Sequence, residues 1–175
     1  DLLAPSPQPP APRVWRLPVL VESRAGYQNL CRLLTRMKLR APKGEGALGF
    51  EELDGFTSGL IAIVGREALV ASRHGVGGLA DRLVGMFGRA NVCLELQRHF
   101  LREEETANGM LRDLAAAFHV PLIASNGVRY AEPAERPLFD VLTCIRHKTT
   151  IERAGRLLAP NAERYLKPPA EMAAL

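Results

Sequence analysis

His99 is the residue best placed to hold a metal or move a proton, because it stands directly beyond a strand in the segment Leu94-Glu95-Leu96-Gln97-Arg98-His99. The segment Ala124-Ser125-Asn126-Gly127-Val128-Arg129-Tyr130 leaves the next strand at the same edge. One imidazole cannot hold a hydrolytic metal cluster, so the simpler expectation is a histidine hydrogen-bonded to its loop. Glu95 sits mid-strand between apolar neighbours, and an acid–base role for it would need a partner carboxylate that the sequence does not place. Arg129 on the adjoining strand end suggests an internal Glu95–Arg129 salt bridge that closes the cavity. His74, His119 and His147 are scattered and read as surface or capping residues.

Two basic clusters could touch phosphates. Arg24, Arg32, Arg36, Lys38, Arg40 and Lys43 span a stretch with no acidic residue, and Arg146-His147-Lys148 follows a late helix. If they bind nucleic acid, the contacts fall to Arg32, Arg36, Lys38, Arg40, Lys43, Arg146 and Lys148, and affinity falls steeply with salt. No aromatic residues are interleaved to stack bases, so solvated helix faces or docking surfaces are the plainer expectation. Arg102 to Glu105 reads as a solvated helix start whose acids suit the N-terminal dipole. There is no G-x-x-x-x-G-K-[ST] loop, and Gly75-Val76-Gly77-Gly78 lacks the spaced third glycine of a dinucleotide fingerprint. Ser72 and Ser125 have no placed His–Asp partners.

The elements that must position these residues alternate. Val14–Val21 reads as a strand edged by Pro18, and Gly26 precedes a helical stripe at Tyr27, Leu30, Cys31, Leu34, Met37 and Lys38. Leu60–Val64 is a second strand, followed by a helix that uses Leu79, Leu83, Val84 and Phe87. Asn91–Gln97 is a third strand, Arg102–Phe118 a helix and Leu122–Ser125 a fourth strand. Ala134–Arg146 is helical, with Pro137 tolerated in its first turn, and the tail holds short helices punctuated by Pro160, Pro168 and Pro169. Strands alternating with such helices imply parallel βαβ units and an α/β fold, with sites at the C-terminal strand ends.

Composition bounds the rest. The 175 residues are 47% hydrophobic and 24% charged, which excludes global disorder, a collagen-like repeat and a disulfide framework. No run approaches the ~18 apolar residues of a membrane span. The net charge of +4 leans only slightly towards anionic partners. Cys31, Cys93 and Cys144 lie far apart in apolar stretches and read as reduced core thiols of a cytoplasmic protein. Six prolines fall within the first 18 positions, so residues 1–13 read as an extended linker; both ends look cut from a longer polypeptide.

The strand-end segments, the run Asp140-Val141-Leu142-Thr143-Cys144-Ile145-Arg146-His147, then Ala154-Gly155-Arg156 and Asn161-Ala162-Glu163-Arg164-Tyr165-Leu166-Lys167, resemble the PHP (polymerase and histidinol phosphatase) domain. The likeness is to that domain in bacterial C-family DNA polymerases, DNA polymerase III alpha-subunit type, and most to their error-prone branch; Leu20–Leu33 fits the same pattern. It implies a partial, distorted (β/α)7 barrel over 14–150, with 151–175 starting the connection to a following polymerase domain. In that family a metal cluster at the strand ends hydrolyses phosphoesters in some members, while others keep the domain only as a structural part. Here the early ligand motifs have no counterpart, and the late Asp-x-His pair falls on Gly127 and Arg129. A permanent guanidinium repels a divalent ion, which leaves His99 as a vestigial metal position.

The resemblance therefore implies a non-catalytic part of an error-prone DNA polymerase, with the remaining polymerase domains as partners and DNA reached through the parent. No cofactor is expected; Mg, Mn or Zn would bind only if the vestigial site still works. The alternatives are a stand-alone phosphoesterase using His99, Glu95 and Cys144, and a basic DNA-binding module.

Overall fold

The structure is a computed structural model that describes residues 14–71 and 75–175, with side chains described outside 70–76. The linker reading of 1–13 and the readings of Ser72 and His74 lie outside the described residues. Strand β1 is Val19–Val21, helix α1 Arg24–Leu39, strand β2 Leu60–Val64, and helices α2 and α3 Arg66–Ala71 and Gly75–Phe87. Strand β3 is Val92–Leu96, helix α4 Arg102–Phe118, strand β4 Leu122–Ala124 and helix α5 Arg136–His147. Two short helices end the chain, α6 at Ile151–Ala154 and α7 at Pro169–Ala174.

Among the described residues the four strands form one open sheet in the order β1-β2-β3-β4. The pairs β2–β3 and β3–β4 are parallel, as the alternation predicts, with Ala62 opposite Val92 and Leu94 opposite Leu122. Strand β1 departs from the expected parallel pattern and pairs antiparallel to β2, Leu20 against Ile61. The chain after α1 doubles back alongside it, so β2 begins near the end of β1. Gly26 and Gly59 allow that return: a Cβ on Gly26 would lie 1.8 Å from the Gly59 carbonyl oxygen, and Gly59 itself adopts φ +73°. Only Val19–Val21 of the expected strand Val14–Val21 is paired, with Pro18 supplying its carbonyl to the Ile63 N–H at 2.9 Å.

The core lies where β2 and β3 meet α3 and α4. Leu60, Ala62, Val64, Val92 and Leu94 pack with Leu79, Leu83, Phe87, Leu111 and Ala115 in one cluster. Burying a side chain of the Leu or Phe class stabilises by roughly 1.5–3 kcal/mol, so these residues set the strand ends firmly. Helix α1 is rotated from the expected stripe. Gly26 and Leu33 are its buried residues, whereas Tyr27 and Leu34 are exposed. Its cap is Ser23, whose side chain accepts from the Gly26 N–H at 3.2 Å. Cys31 consequently faces solvent and is no core thiol, whereas Cys144 is buried; all three cysteines are free. Among the described residues no helix is long and apolar enough to cross a membrane.

Candidate functional site

The C-terminal ends of β2, β3 and β4 carry two adjoining polar regions. One is a buried lock around His99. After β3 the chain turns sharply, with Phe100 in the left-handed region at φ 58°, and drives the His99 side chain inward until 1% of it is exposed. Nδ1 lies 2.6 Å from Glu104 Oε1 and Nε2 lies 2.9 Å from the Asn126 carbonyl oxygen. With Glu104 ionised, both ring nitrogens face acceptors, and both bonds form only when both carry hydrogen.

Glu104 is the third residue of α4 and is itself buried, so it is not the solvated helix-start acid that its position suggests. Its second oxygen accepts from the N–H groups of His99 at 2.6 Å and Leu101 at 3.2 Å. Burial pushes its carboxyl up, but the bonds from the His99 ring and these two N–H groups outweigh burial and hold it below its ordinary value.

The tail completes the lock. Asn161 Nδ2 donates to the His99 carbonyl at 2.6 Å. Asn126 Nδ2 donates to the Glu163 and Tyr165 carbonyls at 2.7 and 2.6 Å, and Arg129 N–H donates to the Arg164 carbonyl at 2.8 Å. Lys167, its side chain fully buried, donates to the Glu163 carbonyl and carboxylate and lies 3.6 Å above the Tyr165 ring. The segment Asn161–Lys167 is thus a strap stitched across the strand-end loops. Its types were visible in the sequence, but no periodicity marks the strap, and its partners Asn126 and His99 lie 37 to 62 residues away in the chain.

The second region is an open cleft of about 820 Å³ beside the lock, with Trp15, Arg16, Arg66, Glu95, Arg129 and Arg164 among the residues of its wall. The expected Glu95–Arg129 salt bridge is absent. The Glu95 carboxylate instead accepts from the Ser125 hydroxyl at 2.5 Å, and the Arg129 guanidinium lies 6.0 Å from the centre of the Phe139 ring. Gly127 adopts φ +49°, and a Cβ there would stand 2.5 Å from Arg164 Nη1, so glycine at this position makes room for a guanidinium. Burial lowers the Arg164 pKa, with repulsion from Arg129 the next cause and the Glu104 carboxylate opposing both.

The expected metal position and its neighbours offer a divalent cation the following groups. His99 has both nitrogens committed, Gly127 has no side chain, and guanidinium groups repel metal ions. Among the described residues no three His, Cys, Asp or Glu side chains converge. Cys144 lies buried on α5, a separate element from His99 and Glu95.

The other basic candidates sit elsewhere. Arg40 bonds the Glu52 carboxylate through two nitrogens at 2.5 and 2.7 Å, Lys38 donates to the Glu45 carbonyl at 2.9 Å, and Arg36 lies 4.4 Å from the centre of the Phe56 ring. These three side chains tie α1 to the loop that returns to β2. Arg32, Lys43, Arg146 and Lys148 are exposed, Lys148 as the left-handed cap of α5. His119 likewise caps α4 in the left-handed region, and His147 is an exposed residue in the last turn of α5.

Comparison with known proteins gives the site its context. No family model matches the chain. It is 41% identical over 152 residues to a protein named error-prone DNA polymerase from Rhodopseudomonas palustris, covering 87% of this chain and 14% of that protein. Proteins of the same name from Bradyrhizobium diazoefficiens and Anaeromyxobacter dehalogenans are 39% and 41% identical, over 90% and 91% of this chain and 14% of their own length. The chain spans only about one-seventh of these relatives. It is homologous to one segment of the error-prone DNA polymerases.

Proposed function

We propose that the chain acts as a non-hydrolytic PHP-type segment of an error-prone DNA polymerase, a scaffold for the domains that perform templated synthesis across damage. The sequence similarity over 87% of the chain to proteins of that name is the observation that carries this reading. In it, the open sheet corresponds to part of a PHP barrel, the remaining polymerase domains are its partners, DNA is met through the parent, and the cytoplasm is its compartment. The His99 lock replaces a metal centre and stiffens the strand-end face, in keeping with a chain that needs no cofactor of its own.

The reading is tested by assaying the purified chain for nuclease activity with Mn²⁺ or Zn²⁺, with His99→Ala alongside. No activity above background is expected. Metal-dependent cleavage that disappears in His99→Ala would overturn the non-hydrolytic assignment and favour a phosphoesterase. An immunoblot of source cells with antibody to this segment addresses the parent: a band several times larger than 19.2 kDa is expected, and a band at that mass would overturn the polymerase reading.

A further inference from the structure

Helix α5 turns its apolar stripe outward. Its inner face carries Arg136, Asp140 and the buried Cys144, with Arg136 Nε 3.5 Å from the Asp140 carboxylate. Beside them the Phe139 ring leans on that of Tyr130, their centres 6.0 Å apart. The outer face carries Leu138, Val141, Leu142 and Ile145 at the i, i+3, i+4, i+7 spacing, each between 40% and 68% exposed. A surface helix ordinarily turns such a stripe to the core, and a contiguous apolar patch left in water marks a contact surface. Charge divides the two ends of the same helix. Glu132 and Glu135 precede it, Arg146 and Lys148 close it, and all four are exposed.

We propose that this stripe pairs with the same stripe of a second copy of the chain, as two antiparallel α5 helices. A two-fold axis midway between Val141 and Leu142 sets Leu138 opposite Ile145 of the second copy and Val141 opposite its Leu142, so the stripe complements itself. The same arrangement brings the acidic end, Glu132 and Glu135, to the basic end of the other copy, Arg146 and Lys148, and opposes the two helix dipoles. A parallel pair would set like charges together at both ends, which charge repulsion disfavours. The helix has 12 residues and is about 18 Å long. Four aliphatic side chains on so short an element cover less than the roughly 1,200 Å² of a standard interface, so the dimer is weak and exchanges readily. The proposal rests on α5 alone and is independent of the polymerase reading.

Sedimentation equilibrium of the whole chain from about 10 µM to about 1 mM is the direct test. The weight-average mass should rise from 19.2 kDa towards twice that value, with a dissociation constant on the order of 100 µM. Leu142→Gln and Ile145→Gln, both at exposed positions, should each weaken the dimer about tenfold and leave the melting temperature unchanged. Orientation is read by cross-linking in a Cys31→Ser background, which removes the exposed thiol. An equal mixture of Leu138→Cys and Ile145→Cys chains should give a mixed disulfide dimer on air oxidation, and neither chain alone should give one. A chain that stays monomeric up to about 1 mM overturns the proposal and leaves the stripe to a different partner. Association that survives both glutamine substitutions, or disulfide dimers from either cysteine chain alone, overturns the assignment to an antiparallel α5 pair.

Discussion

The lock and the cleft are built by the same strand ends and touch the same strap, yet they treat charge in opposite ways. In the lock the His99 ring, Glu104 and Lys167 are almost wholly buried and bonded. In the cleft, Arg129 and Arg164 line an open cavity, and among the described residues neither has a carboxylate within 4.0 Å. A buried charge is tolerable only when paired and hydrogen-bonded, whereas a cation beside water can remain unpaired at little cost. The lock therefore stabilises the fold, and the cleft is where the molecule can change composition without unfolding.

Substitutions sharpen that contrast in order of size. Removing Glu104 strands the His99 ring and two buried N–H groups, so Glu104→Ala should cost about 3 kcal/mol or more in urea unfolding. A loss below about 1 kcal/mol would put the pair on the footing of an exposed one and erase the difference between the two regions. The same residue carries a pH signature. Its folded carboxyl is held below the ordinary value, so its contribution is full above about pH 4.3 and is lost as pH falls through the lowered folded-state value. The acid limb of the stability curve should flatten in Glu104→Gln.

Asn126→Ala comes next. It leaves the Tyr165 carbonyl without its donor and the Glu163 carbonyl with Lys167 alone, and should cost about 2 kcal/mol by the same measurement, with the strap gaining protease sensitivity. Gly127→Ala should cost about 1–2 kcal/mol through its left-handed backbone and its collision with Arg164. Arg129→Ala should move the melting temperature hardly at all, within about 0.5 kcal/mol in stability. A large loss there would restore the internal salt bridge that the geometry replaces with Ser125 and Phe139.

Much of the frame was legible before any coordinates. The bounds of β2 and α4 follow from apolar periodicity, because Leu60, Ala62 and Val64 alternate inward and Leu111 and Ala115 share one helical face. Helix α1 was legible in extent but not in rotation. Apolar residues occur on more than one of its faces, and the close approach of Gly26 to Gly59, which selects the buried face, is a contact across 33 positions. The antiparallel turn of β1 had the same long-range cause.

At the site, His99 and Gly127 stood out by type and position, but Glu104 did not, because an acid in a first helical turn ordinarily faces water. Its spacing five residues after His99 and three after Leu101, the capping position it fills, was the available signal. Arg164 and Lys167 stood within a motif of the resemblance but showed no site role, since a strap without regular structure has no period to read.

The measurement that bears most directly on the lock is the ¹⁵N spectrum of the His99 ring at neutral pH, recorded before and after addition of Zn²⁺. Ring-nitrogen shifts unmoved by the metal are expected, because Nδ1 is bonded to Glu104 and Nε2 to the Asn126 carbonyl. A ring nitrogen whose shift moves on saturation with Zn²⁺ would make His99 a ligand and contradict the account.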